Sequence, residues 1–283
     1  MSFSQEVKYE ISTKELSKEA LRAQLSSFFH LNATMHIVEN QFELQIKTQN
    51  ATITKRIFQL VKEQYDVETE LKVIKRDNLD KGNIYVLRIK EKAMLILQDL
   101  GIYDENGFRD VPHSHIVVKE ENAQSYLAGA FLASGSVNSP NKPNYHLEVS
   151  AQDEPLAIFI QDIIRRFGLN AKTTKRRQRY VVYLKAADEI ADFLKIVGAF
   201  NKTMEFEDIR IHRDFRNSLT RLDNMELAND VKTIQAGSRQ MDAILNLMKN
   251  NRYQHLDTRL KEVCDLRMDN PESSLNELID IYY

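Results

Sequence analysis

The nine residues LAGAFLASG, at positions 127–135, are the stretch of this sequence that decides its fold. Small side chains recur in it at Ala128, Gly129, Ala133 and Gly135, among larger apolar ones. Helix axes approach each other more closely when the side chains at their contact are small. The stretch therefore indicates either an ordinary alanine- and glycine-rich core helix or a helix packed closely against a second, similar helix.

The chain repeats itself at a spacing of about a hundred residues, and this repeat favours the second interpretation. Residues 25–33 align with 127–135, and the strand-like pattern at 42–46 aligns with that at 145–149. The inner face of a following helix matches as well. Its apolar positions are Ile53, Ile57, Leu60 and Val61 in the first half and Leu156, Ile160, Ile163 and Ile164 in the second. Their common order indicates a duplicated subdomain, because this spacing is too long for a solenoid repeat.

Each half predicts the order helix, two strands, helix, two strands, helix. The alternating runs 86–89 and 181–184 indicate strands, and Gly101 and Gly198 are typical helix stops. We therefore predict an α+β fold with a duplicated half. The predicted segments are residues 1–105 and 106–201 for the two halves, 202–225 for a linker and 226–283 for a helical domain.

The stretch 127–135 resembles the LAGLIDADG motif of homing endonucleases, with a serine in place of the last acidic residue. The resemblance implies a fold in which that acid ends a packed helix and holds the divalent metal that activates water. Ser134 and, in the first half, Asn32 occupy these positions and bring no charge, whereas Mg²⁺ prefers carboxylate oxygens. We therefore predict a degenerate site without catalytic residues, metal or cofactor, in a chain that is not an enzyme.

Nearly the full length of the chain is similar to the bacterial WhiA family of sporulation and cell-division regulators. The resemblance is strongest at 126–131, 135–137 and 213–217. It continues at Arg221, Leu222, Asn224, Glu226, Ala228, Asn229, Lys232, Thr233, Arg239 and Gln240. It implies a degenerate double LAGLIDADG domain, a C-terminal helix-turn-helix, and a DNA-binding regulator of transcription in division, chromosome segregation or sporulation.

A basic segment of the second half is the first candidate for binding DNA. Residues 163–187 include eight Lys or Arg and no acid, and 175–179 predict the turn of a hairpin. In the LAGLIDADG fold the sheets form a saddle over the DNA, so this placement would direct cations at phosphates. The alternative is a solvated hairpin turn, the usual position of charge runs. The candidate residues are Lys172, Lys175, Arg176, Arg177 and Arg179.

The corresponding strands of the first half are mixed in charge. They carry Glu68, Glu70, Asp77 and Asp80 among Lys72, Lys75 and Arg76. Because acids on that sheet would repel phosphate, we expect the two sheets not to bind DNA symmetrically. A protein contact is the alternative role of the first half.

A second basic set follows the double domain. It consists of Arg210, Arg213, Arg216 and Arg221. The segment is either a linker that contacts DNA or a hinge that packs on the core through Ile209, Ile211 and Phe215.

The C-terminal part predicts a helix-turn-helix domain. Its long helix has a 4–3 apolar pattern, typical of a coiled-coil seam or, as we expect here, of a helix packed on its own domain. The pattern consists of Leu227, Val231, Ile234, Ser238, Met241, Leu245 and Met248. A second helix runs through Leu256, Leu260, Val263, Cys264 and Arg267 and places its cysteine in the core. Ser274 and Glu277 predict a capping box for a third helix. The family's recognition helix would follow Tyr283, so we expect this chain to be truncated or to lack that element.

The amino-acid composition limits the classes of protein to which the chain can belong. With 42% hydrophobic and 28% charged residues and a net charge of -2, the chain is an ordinary globular one with room for a local basic face. The single Cys264 excludes an intramolecular disulfide, and no run approaches the ~20 apolar residues of a membrane span. We expect a cytoplasmic, nucleoid-associated protein without a signal peptide.

Together these patterns predict a non-catalytic, DNA-binding regulator of transcription. The expected partners are double-stranded DNA and RNA polymerase or another regulator, without membrane or small-molecule substrate. Two alternatives stay open: a metal-dependent DNA endonuclease, and a scaffold that recruits protein without reading DNA.

Overall fold

The structure, a computed structural model, describes residues 2–38, 41–75 and 82–283. Arg76, Asp77 and Asp80, part of the mixed charge expected in the first half, lie outside these residues. The chain divides into two compact units, Met1–Arg210 and Ile211–Tyr283. In the described ranges, no helix combines the length and apolar character that crossing a bilayer requires.

The first unit consists of two halves with the same order of elements, after an N-terminal helix α1 (Phe3–Thr13). The first half contains α2 (Lys18–Asn32), β1 (Ala33–Val38), β2 (Gln41–Thr48), α3 (Ala51–Tyr65), β3 (Thr69–Ile74), β4 (Ile84–Ile89) and α4 (Ala93–Asp99). A short strand pair, β5 (Tyr103–Asp104) and β6 (Gly107–Phe108), follows. The second half contains α5 (Glu120–Ser134), β7 (Gly135–Val137), β8 (Leu147–Ala151), α6 (Glu154–Arg166), β9 (Lys172–Arg176), β10 (Arg179–Leu184) and α7 (Ala187–Ile196). The predicted α+β duplication is confirmed.

Each half forms a four-stranded antiparallel sheet, and the two sheets share one register. The strand orders are β1-β2-β4-β3 and β7-β8-β10-β9. One row of paired residues across the first sheet is Thr34, Gln45, Arg88 and Glu70. The corresponding row of the second sheet is Ser136, Glu148, Tyr183 and Lys172. Paired residues share a face, and the alternating neighbours Leu147 and Val149 are buried. Both rows therefore lie on the face that points away from the core.

The motif helices α2 and α5 pack against each other, as the small residues of 127–135 predict. A Cβ at Gly129 would lie 2.2 Å from the carbonyl oxygen of Gln24 and from Oγ of Ser27. Phe28 and Phe29 of α2 are buried in the same core. The eight predicted inner-face positions of α3 and α6 are all buried as well.

Helix α8 (Phe200–Lys249) begins in the first unit and continues into the second. Residues 202–225, predicted as a linker, lie within this helix. In the second unit it is followed by α9 (Thr258–Asp269) and α10 (Leu275–Tyr282).

The packing face predicted for α8 is wrong. Leu227, Val231, Ile234 and Leu245 of the 4–3 pattern are exposed, whereas Gly237 and Ile244 are buried. A Cβ at Gly237 would lie 2.3 Å from the carbonyl oxygen of Pro271. The missing side chain, rather than the apolar stripe, lets the segment after α9 approach the helix.

The core position predicted for Cys264 on α9 is also wrong, because the buried residue of the predicted row is the charged Arg267. Arg267 is only 4% exposed, whereas Leu260 and Val263 are exposed and Cys264 is half-buried. Nη1 of Arg267 donates to the carbonyl oxygens of Asn270 at 3.2 Å and Ser273 at 2.6 Å. The arginine thus bridges the turn into α10. The capping box of Ser274 and Glu277 on α10 is confirmed.

Candidate nucleic-acid interface

The ends of α2 and α5 meet where the motif resemblance implies a metal site. Nδ2 of Asn32 donates to the carbonyl oxygen of Ala133 at 3.2 Å. Within the described part of the chain, the buried Oγ of Ser134 has no hydrogen-bond partner. Neither side chain provides the anionic oxygen that a divalent cation requires. The residues at these helix ends therefore do not fit a Mg²⁺ site.

A lysine from α1 lies against the end of α5. Nζ of Lys8 donates to the carbonyl oxygen of Leu132 at 3.3 Å and lies 5.6 Å from the ring centroid of Phe131. Burial lowers the pKa of Lys8 to about 8. Across residues 2–38, 41–75 and 82–283, no three His, Cys, Asp or Glu side chains are grouped closely enough to hold a metal ion. The local charge at this helix end is an ammonium group, which further disfavours a cation.

The outer face of the second sheet carries several charged and polar side chains. We call it the second-sheet face and define it by Ser136, Glu148, Ser150, Lys172, Thr174, Arg176, Arg179 and Tyr183. Pairing across the strands places these residues on one side, opposite the buried Val149, Val182 and Leu184. The face is therefore continuous over all four strands.

The structure brings three of the five predicted hairpin cations together on this face. Arg176 pairs with Arg179, and Lys172 pairs with Tyr183. All three basic side chains are exposed. The hairpin is longer than predicted, because β9 runs to Arg176 and only residues 177 and 178 form the turn.

The other two hairpin cations point elsewhere. Lys175 pairs with Tyr180 on the opposite side of the sheet, and its Nζ lies 5.4 Å from the Tyr180 ring centroid. Arg177 occupies the turn in a left-handed conformation, with φ 57°. Both are exposed, so they border the second-sheet face without belonging to it.

A carboxylate that sequence reasoning missed lies among these cations. Oε2 of Glu148 accepts from Nη1 of Arg176 at 3.2 Å and contacts Nε2 of His146 at 2.9 Å. The His146 ring stacks on Tyr183 with 5.9 Å between centroids. Nζ of Lys185 lies 5.2 Å from the same tyrosine ring. Strand alternation within 147–151 and 179–184 was the signal that could have placed Glu148 and Tyr183 on the basic face.

The corresponding face of the first sheet is mixed in charge, as predicted. Its row contains Arg88 opposite Glu70, and Oε2 of Glu70 lies 3.1 Å from Nζ of Lys90. Lys72 lies next to them on the same face and is exposed. Within the described residues, this sheet therefore has no basic surface comparable with that of the second.

The basic residues of α8 fall in both units. In the first unit, Nη1 of Arg210 contacts the carboxylates of Asp188 and Glu207, the latter at 3.2 Å. In the second unit, Arg216 and Arg221 are exposed and Arg213 is half-buried.

The hinge interpretation of this segment required apolar residues packed on the core. Ile211 and Phe215 are instead 62% and 63% exposed. The prediction that these two side chains pack on the core is therefore wrong.

The fold and its helix ends define a LAGLIDADG-like protein whose motif helices end without carboxylates. Family models described as the WhiA N-terminal LAGLIDADG-like domain, the WhiA LAGLIDADG-like domain and the WhiA C-terminal HTH domain match residues 18–103, 123–216 and 219–283. The chain belongs to the WhiA family, as its sequence predicts.

Two relatives and one solved structure are similar to this chain over nearly its full length. The probable cell division protein WhiA of Latilactobacillus sakei subsp. sakei (strain 23K) is 43% identical over 282 residues, 98% of this chain and 89% of the relative. That of Enterococcus faecalis (strain ATCC 700802 / V583) is 41% identical, covering 98% and 89%. The crystal structure of full-length DUF199/WhiA from Thermatoga maritima covers 98% of this chain and 90% of its own, with a TM-score of 0.66 at 22% identity. The latter shows the same fold.

Proposed function

We propose that this chain is a DNA-binding regulator of transcription that acts in cell division and does not cleave DNA. The observation that carries the proposal is the second-sheet face, on which Lys172, Arg176 and Arg179 are all exposed. The matched helix-turn-helix region supports it. The names of the relatives, probable cell division proteins, support the cellular role.

The proposed roles of the sheet and of the helix-turn-helix region follow from the chemistry of each. Lys and Arg side chains on a sheet contact phosphates, which position a protein on DNA without specifying sequence. Arg213, Arg216 and Arg221 of α8 are further candidates for phosphate contacts. Reading of base edges is assigned to the helix-turn-helix region, since that motif places side chains in the major groove. The double domain contributes affinity, whereas sequence specificity belongs to the recognition helix of the helix-turn-helix motif.

The proposal excludes nuclease chemistry on the grounds of the helix ends. A metal-dependent nuclease needs anionic ligands for the ion that activates its water. Asn32 and Ser134 supply amide and hydroxyl groups there instead. RNA polymerase or a second regulator is the proposed protein partner, with the mixed first-sheet face as its candidate surface.

The test is the salt dependence of DNA binding by the full chain. The combined variant Lys172→Gln, Arg176→Gln and Arg179→Gln should weaken binding to all duplexes about equally. The slope of log K against log[salt] should also become less steep, by roughly 0.9 for each phosphate that the variant no longer neutralises. The slope should thus fall by about 2–3 units if all three residues bind phosphate.

The matched control removes the same charge from the first sheet. Lys47→Gln, Lys72→Gln and Arg88→Gln alter the corresponding face and should leave the salt slope close to that of the wild type. An unchanged slope in the second-sheet variant would mean that this face meets solvent or protein. No salt-dependent binding by the wild type would favour the protein scaffold.

A further inference from the structure

Glu148 is the single acid among the residues that define the second-sheet face. It lies in the central row, directly opposite Tyr183 and two strands away from Lys172. The corresponding residue of the first sheet is the neutral Gln45. The acid therefore occurs on the sheet that carries the exposed cations and is absent from the corresponding position of the other.

The carboxylate has two further polar neighbours on the sheet, whereas its arginine partner is mostly exposed. Nε2 of His146 lies 2.9 Å from Oε2, and Oγ of Ser136 lies 3.5 Å from Oε1. The Glu148 side chain is 25% exposed, against 64% for Arg176. Arg176 is thus a largely exposed donor whose Nη1 contacts a more buried acceptor.

A carboxylate and a phosphate compete for the same guanidinium group. Both accept from the planar fork of arginine, so Arg176 must release Nη1 from Glu148 to offer its full fork to DNA. The negative charge of Glu148 also opposes a phosphate brought close to this face. Both effects lower the affinity that the exposed cations would otherwise provide.

We propose that Glu148 is a positioning residue that holds Arg176 on the sheet and restrains its binding to DNA phosphates. The proposal rests on the proposed DNA-binding function and adds the means by which nonspecific affinity is limited. Weaker sequence-independent binding leaves a larger share of discrimination to the base-reading region. A DNA site that places a phosphate against Arg176 displaces the carboxylate.

The experiment measures binding of the full chain to a random-sequence duplex over a range of salt concentrations. Glu148→Gln keeps the shape of the side chain and removes its charge. Glu154→Gln is the matched control, since Glu154 is exposed on α6 and its substitution removes the same charge. We expect Glu148→Gln to tighten binding about two- to fivefold more than the control, with a steeper salt slope.

A double-mutant cycle separates the restraint from a general charge effect. In the Arg176→Gln background, the tightening by Glu148→Gln relative to Glu154→Gln should be smaller, because only the direct repulsion between Glu148 and phosphate remains. Glu148→Thr, which suits a strand, provides a second neutral variant, and thermal melting checks that each variant is folded.

The outcomes separate the two proposals. If Glu148→Gln and Glu154→Gln act alike, or if the effect of Glu148→Gln is undiminished without Arg176, the restraint is overturned while DNA binding stands. Weaker binding by Glu148→Gln also overturns it. If the wild type shows no salt-dependent binding, the proposed function and the restraint both fail.

Discussion

Single residues control how closely the two halves approach. At Gly129 the backbone of α5 lies against Gln24 and Ser27 of α2, in a space that a methyl group cannot enter. Close packing of this kind tolerates little added volume, since protein interiors are as dense as organic crystals. The close contact between α2 and α5 therefore requires a residue without a side chain at position 129.

Gly129→Ala should destabilise the first unit by about 1–3 kcal/mol or more, as overpacked cores do. The added Cβ would lie 2.2 Å from a backbone oxygen, which cannot move without shifting α2. Urea unfolding monitored by circular dichroism measures the change. Gly82→Ala is the control, because a Cβ there has no atom within 4 Å. Equal stability of the two variants would show that α2 and α5 are further apart than described.

At the scale of elements, α1 shows how a segment can be overlooked in sequence and still hold the fold. Its charged residues obscure the spacing of Phe3, Val7 and Ile11, which are all buried. On the same side of the helix, Glu10 accepts from the backbone N–H groups of Asn201 at 2.7 Å and Lys202 at 3.0 Å. An acid from α1 thus caps the first turn of α8, where a negative charge is favourable.

Removing this cap should weaken the first unit. Glu10→Ala leaves two backbone donors of α8 without their acceptor, and loss of a helix cap typically costs about 0.5–2 kcal/mol. Glu15→Ala is the control, since Glu15 is exposed after the end of α1. Chemical denaturation of both variants compares them directly. The capping role is refuted if Glu10→Ala is no less stable than Glu15→Ala.

The long helix α8 illustrates a limit of periodicity. Its 4–3 pattern predicts a buried seam, yet that stripe is exposed and the contact forms at Gly237. Apolar spacing identifies a helix and its candidate face, but neighbouring segments decide which face is covered. The buried Arg267 on α9 shows the same effect, because its Nη1 donates to two backbone carbonyl oxygens of the segment that follows the helix.

For the molecule as a whole, duplication preserved the backbone while the two halves diverged in chemistry. The two sheets keep the same strand order and register. In the outer row, however, Glu70 of the first sheet corresponds to Lys172 of the second, and Gln45 corresponds to Glu148. The helix ends between the halves have an amide and a hydroxyl. These differences motivate a DNA-binding role without cleavage.

The whole chain should therefore leave supercoiled plasmid DNA intact in Mg²⁺ or Mn²⁺. Neither Asn32 nor Ser134 supplies a carboxylate to bind either ion tightly. Gel analysis of nicked and linear products measures cleavage, and Asn32→Ala and Ser134→Ala distinguish a true site from a contaminating nuclease. Specific cutting that either substitution abolishes would establish the endonuclease alternative.

The sequence by itself determined the features of the structure that do not depend on contacts between distant segments. Apolar spacing located the inner faces of α3 and α6, and the repeat established the duplicated order of elements. Short-range chemistry likewise located the helix stop at Gly198, which has φ +87°, and the capping box of Ser274 and Glu277. Apart from the repeat, which is seen by comparing segments about a hundred residues apart, each of these is specified within a few helical turns, so no knowledge of distant contacts was needed.

Tertiary structure decided which of the candidate residues act together. Strand register placed Lys172, Arg176 and Arg179 on one face but turned Lys175 to the other. It also brought Glu148, 28 residues away in the chain, to Arg176. Such pairings follow from the strand order and the twist of the sheet, which arise from packing over the whole unit. A sequence read along its length therefore contains the cations of this surface but not the acid that holds one of them.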